Sequence, residues 1–312
     1  MWIYFLILFG IFFLLKAFFV SPKGEHDGAT VVITGGSSGI GLEYAINVAK
    51  KSKAKKIVLL ARNATVLKEA QLKVLNARSW AKTSVDVMVC DVSSEKECGV
   101  VARKLGDEVT IFVNCAGVSY PTELENLTLT QINTMINTNL IGSILLTREI
   151  VPIMKKNRKG TIVFVASQAA QCGLYGYTVY SASKFAVRGF AESLEMELKC
   201  HNVSVCVAYP PDTDTAAYWK ENEMKPEATR KMSEGSLMKA DLVGEILFKG
   251  IEQKNFSIWF NFDGFMLAQL TAGFGSPNNW MQVVYQFLLI GCFRVIAVFI
   301  RKNFDRIARK TR

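Results

Sequence analysis

Short runs rich in valine, isoleucine and phenylalanine recur along the chain. They alternate with longer stretches whose apolar positions fall three and four residues apart. Successive strand side chains point to opposite faces, so an unbroken apolar run reads as a strand buried on both sides. The three-and-four spacing instead lays one stripe along a helix. The runs are TVVIT from Thr30, KIVLL from Lys56, VDVMVCDV from Val85, TIFVNCAG from Thr110, GTIVFVAS from Gly160, VSVCVAYP from Val203 and IWFNF from Ile258. Helical spacing fills the intervals, with one helix expected near 129–154 and another over 180–199. Such alternation predicts an α/β domain over residues 28–262, a doubly wound parallel sheet of about seven strands.

Both ends of the chain depart from this pattern. Residues 1–20 are apolar except for Lys16, and twenty helical residues reach about 30 Å, the hydrocarbon thickness of a bilayer. Residues 1–22 are therefore expected to be a membrane anchor rather than a cleaved signal, since they carry neither a basic leader nor a small-residue cleavage site. Lys16 and Lys23 on its far flank place the main domain in the cytosol. On that side the sequons at Asn63, Asn126, Asn202 and Asn255 are chance matches and carry no glycan. At the other end, residues 263–300 contain an arm at 264–275 too short to span and a longer one at 280–300 that carries two glutamines and Arg294. A membrane-associated hairpin is expected there, ahead of a basic tail at 301–312. The alternative is an amphipathic helix packed on a partner subunit, which would make the protein a homo-oligomer.

Composition supports a lipid-facing protein. Half of the 312 residues are hydrophobic and the net charge is +10, but no basic stripe interleaved with aromatics appears. Nucleic acid is thus excluded as the partner and anionic headgroups fit better. Seven cysteines without a C-x-x-C pair, and only His26 and His201, leave little for a disulfide framework or a metal centre.

The chemistry-bearing residues fall at the carboxyl ends of the predicted strands, where open parallel sheets gather their ligands. After the first strand comes GGSSGIG, with Gly35, Gly39 and Gly41 leaving room for a pyrophosphate at a helix N-terminus and Ser37 able to add a hydrogen bond. After the second strand stands Arg62, where a site selective for NAD would carry a carboxylate; an arginine suits a 2′-phosphate and favours NADPH. Asn114, Ala116 and Gly117 follow the fourth strand and should flank the cofactor, and Thr213 and Thr215 in PPDTDT can reach a nicotinamide amide. Tyr180 and Lys184 share one helix face, and Ser167 precedes the tyrosine at the end of a strand. A nearby ammonium is expected to lower the phenol's pKa, which makes Tyr180 the proton-transfer group, with Ser167 holding a carbonyl oxygen. Asn139, expected inside a helix, reads as a core hydrogen-bonding group or as the holder of a water near the lysine.

Together TGGSSGIG, Asp91, NCAG, Asn139, Ser167 and YSASK resemble the short-chain dehydrogenase/reductase family over residues 28–262. The resemblance implies a Rossmann-type fold and NADPH-dependent carbonyl reduction. It also implies a catalytic set of Asn139, Ser167, Tyr180 and Lys184, with Tyr180 and Lys184 touching the cofactor as well. Ser38, Ile40, Asp91 and Pro210 join the cofactor-binding set on the same ground. Two positions depart from the family pattern: Cys115 replaces an asparagine and Pro211 replaces a glycine. AYPPDTDT, the anchor and the FDGFMLAQLTAGF region resemble the branch of the family that reduces long-chain sphingoid ketones at the cytosolic face of the endoplasmic reticulum. A membrane-bound hydroxysteroid or retinol dehydrogenase shares the same catalytic residues, and a silent NADPH-binding scaffold is the reading from another class. Residues 212–242, rich in Lys and Glu, are expected to form a lid over the substrate; no side chain in the sequence identifies itself as the reader of an amino group.

Overall fold

The computed structural model describes residues 24–311, so the anchor expected at 1–22 lies outside the described residues. Seven strands form one parallel sheet: β1 (Thr30–Thr34), β2 (Lys56–Ala61), β3 (Ser84–Val89), β4 (Ile111–Asn114), β5 (Gly160–Val165), β6 (Val203–Tyr209) and β9 (Ser257–Trp259), in the order β3-β2-β1-β4-β5-β6-β9. A separate two-residue ladder pairs β7 (Thr213–Asp214) with β8 (Met238–Lys239). The order reverses between β1 and β4, and a crevice opens there at the strands' carboxyl ends.

Helices cover both faces. α1 (Gly39–Lys51), α2 (Ala64–Ala77) and α9 (Ala240–Glu252) lie on one side, where Tyr44, Val48, Leu67, Val243 and Leu247 meet Val31, Ile33, Ile57 and Leu59. On the other side α3 (Glu95–Leu105), α5 (Gly142–Asn157) and α6 (Thr178–Leu198) bury Cys98, Leu146, Ile150, Val187 and Leu194 against Val32, Val58, Phe112 and Phe164. Burial on both faces explains why the central strands read as continuous apolar runs. α9 crosses α1 closely, because a Cβ on Gly244 would stand 2.7 Å from the Glu43 backbone.

Three elements differ from the sequence pattern, each for a local reason. The helix expected at 129–154 is two: α4 (Leu129–Ile136), begun by a reciprocal Thr128–Gln131 cap, and α5, joined through a π turn at Asn137–Ile141. The last strand ends at Trp259 because Asn261 caps a new helix, its side chain accepting from Gly264 N at 2.8 Å. That helix, α10 (Phe262–Leu270), is the shorter arm of the expected hairpin; Phe265, Met266 and Ala268 on it are buried in the protein. The longer arm, α11 (Trp280–Lys310), packs Phe293 and Leu289 on α10 and leaves Trp280, Phe287, Leu288, Val295 and Phe299 exposed. It is the one described helix long and apolar enough to cross a membrane, and its apolar window is 6% buried.

The segment before β1 is pinned to the end of α9. Glu252, 3% exposed, accepts from the backbone N–H of Glu25 at 3.0 Å and of His26 at 3.1 Å, and from the His26 ring, whose Nε2 lies 2.8 Å from the Tyr44 hydroxyl. Burial raises the Glu252 carboxyl, but the His26 and backbone hydrogen bonds outweigh it and hold the group below its usual value. Replacing Glu252 with alanine strands buried donors and is expected to destabilise the domain by about 3 kcal/mol. Chemical denaturation of the detergent-solubilised protein checks this, and an unchanged midpoint would contradict it.

Candidate active site

At the end of β1 the chain turns tightly into α1. Gly35 takes a left-handed conformation with φ of 65°, and a Cβ on Gly41 would sit 2.5 Å from the Gly35 carbonyl oxygen. Only glycine fits either position. Ser38 occupies the cap of α1 yet makes no side-chain cap bond, which leaves its hydroxyl and the first N–H groups of the helix available to a phosphate. Ser37 and Ile40 are half-exposed on the same turn. Thr34, which the sequence reading passed over, joins the turn to the neighbouring strand: its hydroxyl accepts from Cys115 N at 3.0 Å and Ala116 N at 3.1 Å. The threonine of TGGSSGIG was the available signal.

Arg62 is exposed just beyond β2; burial raises the Asp91 carboxyl, but the two bonds from Ser93, with a smaller effect of the Arg62 charge, hold it below the usual carboxylate value. Ser93 donates to Asp91 through its N–H at 2.9 Å and its hydroxyl at 2.7 Å. Asn114 stands at the expected strand end, but its side-chain amide donates to Thr147 on α5 at 3.2 Å, so the side chain braces the sheet. Ala116 and Gly117 line the crevice, and a Cβ on Gly117 would meet Asn139 and Lys184 at 3.4 Å each.

The proton-transfer residues come together at the ends of β4 and β5 and the first turns of α6. Lys184 is buried and donates from Nζ to the Val165 carbonyl at 2.9 Å, 5.8 Å from the centre of the Tyr180 ring. Burial pushes its ammonium down to about 8. The Ser167 hydroxyl accepts from Ala169 N at 3.1 Å and stands near enough to the Tyr180 hydroxyl to favour its ionised form. The expectation that the lysine lowers the phenol's pKa needs correction. Burial raises it first, the Glu221 carboxylate raises it further, and the Ser167 hydroxyl opposes only in part. Asn139 lies in the π turn with its side chain fully used: it accepts from Val118 N at 2.8 Å and donates to Val118 O and to Ser183 Oγ, both at 3.0 Å. Cys115 is a neutral thiol, pushed up to about 11 by burial.

Over this edge lies the loop after β6. Pro210 O accepts from Gln168 N at 3.1 Å, and the Thr213 hydroxyl donates to Pro211 O at 2.9 Å. Thr215 caps α7 (Ala216–Met224) and places its methyl 3.2 Å from where a Gly39 Cβ would be. Both threonine hydroxyls are thus engaged in shaping the loop, and Thr215 closes against the glycine turn. With α8 (Glu227–Met232), α7 covers Tyr177 and Tyr180, as a lid would: Thr229 donates to Tyr175 O at 2.9 Å, and Tyr177 donates to Glu221.

The model for the short chain dehydrogenase family matches residues 29–226. The chain belongs to this family. It is 42% identical to a 3-ketodihydrosphingosine reductase from Bos taurus over 93% of this chain and 89% of that protein. Retinol dehydrogenase 8 from Homo sapiens is 34% identical over 58% of each chain. Among solved structures, a short-chain dehydrogenase from Sphingobium yanoikuyae in complex with NADPH superposes with a TM-score of 0.66 at 22% identity, covering 74% of this chain and 87% of that one. As a short-chain dehydrogenase the protein needs a dinucleotide, and the residues present fit one: a crowded glycine turn, an uncapped helix N-terminus and a buried ammonium at the crevice.

Lys184 sets a pH dependence. Its ammonium, able to hold ribose hydroxyls, is charged below about 8 and neutral above. NADPH affinity, read by fluorescence titration, is therefore expected to fall as pH rises through about 8. Lys184→Met should flatten that limb, and an identical limb in the variant would assign it to another group.

Proposed function

We propose that the chain reduces 3-ketodihydrosphingosine to dihydrosphingosine with NADPH, a step of sphingolipid synthesis. The observation that carries this reading is the 42% identity to the bovine reductase over 93% of the chain, an extent that reaches past the catalytic domain into the C-terminal helices. The likeness to retinol dehydrogenase covers 58% of the chain and supports the alternative less. Intact geometry around Tyr180 argues against a silent scaffold.

When bound, NADPH supplies the hydride that reaches the ketone carbon. The protein's share is the oxygen. Ser167 and Tyr180 present hydroxyls to it, and the raised pKa keeps Tyr180 protonated until charge develops there, as an acid must be at neutral pH. Lys184, held by Val165 O, would keep its remaining N–H groups for the cofactor's ribose hydroxyls. Asn139 anchors the loop after β4 beside them, and the exposed Arg62 would hold the 2′-phosphate.

The membrane part of the reading rests on α11. Its exposed apolar face suits a bilayer, and Arg301, Lys302, Arg306, Arg309 and Lys310 follow at its end for anionic headgroups. We place the protein on the endoplasmic reticulum with its catalytic domain in the cytosol, where an insoluble ketone reaches the crevice from the lipid.

Tyr180→Phe keeps the ring and removes the proton, and should lower kcat by about 10²- to 10⁴-fold. The assay is NADPH oxidation by detergent-solubilised protein with the sphingoid ketone beside retinal and steroid ketones; turnover of retinal or steroid alone would overturn the substrate assignment. In the same assay Arg62→Glu should reduce the preference for NADPH over NADH by roughly 10- to 100-fold. An unchanged ratio would remove Arg62 from cofactor selection.

A further inference from the structure

Glu221 lies on the lid near the proton donor, close enough for its charge to act on the Tyr180 phenol. It projects from lid helix α7 and accepts the hydroxyl of Tyr177, whose ring centre is 5.5 Å from that of Tyr180. The buried lysine of the same lid segment is already matched. Lys225, 2% exposed, pairs with Asp212 at 2.7 Å and lies over the rings of Tyr218 at 4.4 Å and Tyr177 at 5.9 Å, so its charge is committed to that carboxylate. Glu221 forms no ion pair among the described residues, and it is only half-exposed. A carboxylate held against tyrosines beside the proton donor, with no cation of its own, is suited to a cation that the ligand brings.

The geometry of an α-amino ketone meets this arrangement. Its nitrogen is two bonds from the carbonyl carbon, about 2.5 Å away by ordinary N–Cα–C geometry. When the ketone oxygen contacts Tyr180 and Ser167, the nitrogen must therefore lie on the oxygen's immediate flank. Tyr177, three residues before Tyr180 at the start of the same helix, sets its ring beside that of Tyr180 and donates its hydroxyl to Glu221.

We infer that Glu221, oriented by Tyr177, is the group that binds the substrate's ammonium and so selects 2-amino ketones over ketones lacking nitrogen. This inference rests on the sphingoid-ketone reading above. It adds a coupling between binding and proton transfer. The Glu221 charge raises the Tyr180 phenol; an ammonium that neutralises that charge relieves the effect and makes Tyr180 a stronger acid once the correct substrate is in place.

The test compares kcat/KM for 3-ketodihydrosphingosine and for a chain-matched 3-ketone with hydrogen in place of the amino group, in wild type and Glu221→Gln, with NADPH fluorescence titration as the check on folding. Wild type should prefer the amino ketone by roughly 10- to 100-fold, the range of a hydrogen bond to a charged group. Glu221→Gln should lose most of that preference through the amino ketone alone, with NADPH binding unchanged and the nitrogen-free ketone reduced at least as fast as by wild type. Equal use of both ketones by wild type overturns the assignment without recourse to any variant. So does a Glu221→Gln protein that keeps the preference, or one that loses both ketones in equal proportion while still binding NADPH. Wild type that turns over retinal or steroid ketones but neither long-chain ketone overturns the sphingoid reading itself, and this assignment with it.

Discussion

The side-chain amide of Asn139 is the constraint on which the site depends. Its oxygen and nitrogen meet the N–H and carbonyl of Val118 beyond β4, and its nitrogen also meets Ser183 on α6. Ser183 in turn donates to the Tyr180 carbonyl at 2.7 Å. One buried residue thus fixes the strand-end loop, the helix that carries Tyr180 and Lys184, and the π turn in which it sits. A regular helix through 137–141 would turn this side chain to another direction, so the local irregularity and the polar network require one another.

Lys184 shows the same economy. A buried ammonium is costly unless hydrogen-bonded, and Val165 O at 2.9 Å meets part of that need. Desolvation that weakens its positive charge and desolvation that weakens acid dissociation of Tyr180 have one origin, the enclosure of the crevice by the lid and the glycine turn. The two groups are held near the limits of their useful protonation states, the lysine charged and the phenol neutral.

Much of this was legible in the sequence because it depends on neighbours along the chain. The seven runs of apolar residues are strands, the glycine spacing gives the phosphate turn, and Tyr180 and Lys184 fall on one helix face. What escaped depends on contacts between distant segments. The sequence could not reveal that Asn114 braces Thr147, that Thr34 ties β1 to β4, or that Glu221 comes to rest on Tyr177 forty-four positions away. The direction of the Tyr180 shift was misread for the same reason: adjacency of Lys184 was visible, whereas burial and the lid's carboxylate were not. Hydropathy marked two apolar stretches here, but it does not tell the buried one, α10, from the exposed one, α11, nor show that α11 runs on through the basic residues to Lys310.

The one-sided packing of α11 bears on how such an enzyme encounters its substrate. A helix of 31 residues is about 46 Å long. Its inner seam, through Gln282, Leu289 and Phe293, is committed to the domain, and its outer side is left exposed. On the proposed placement the protein samples a plane rather than a volume. Its saturation is then governed by the mole fraction of ketone among surrounding lipids, so diluting the membrane with inert lipid should slow it while diluting the aqueous phase should not.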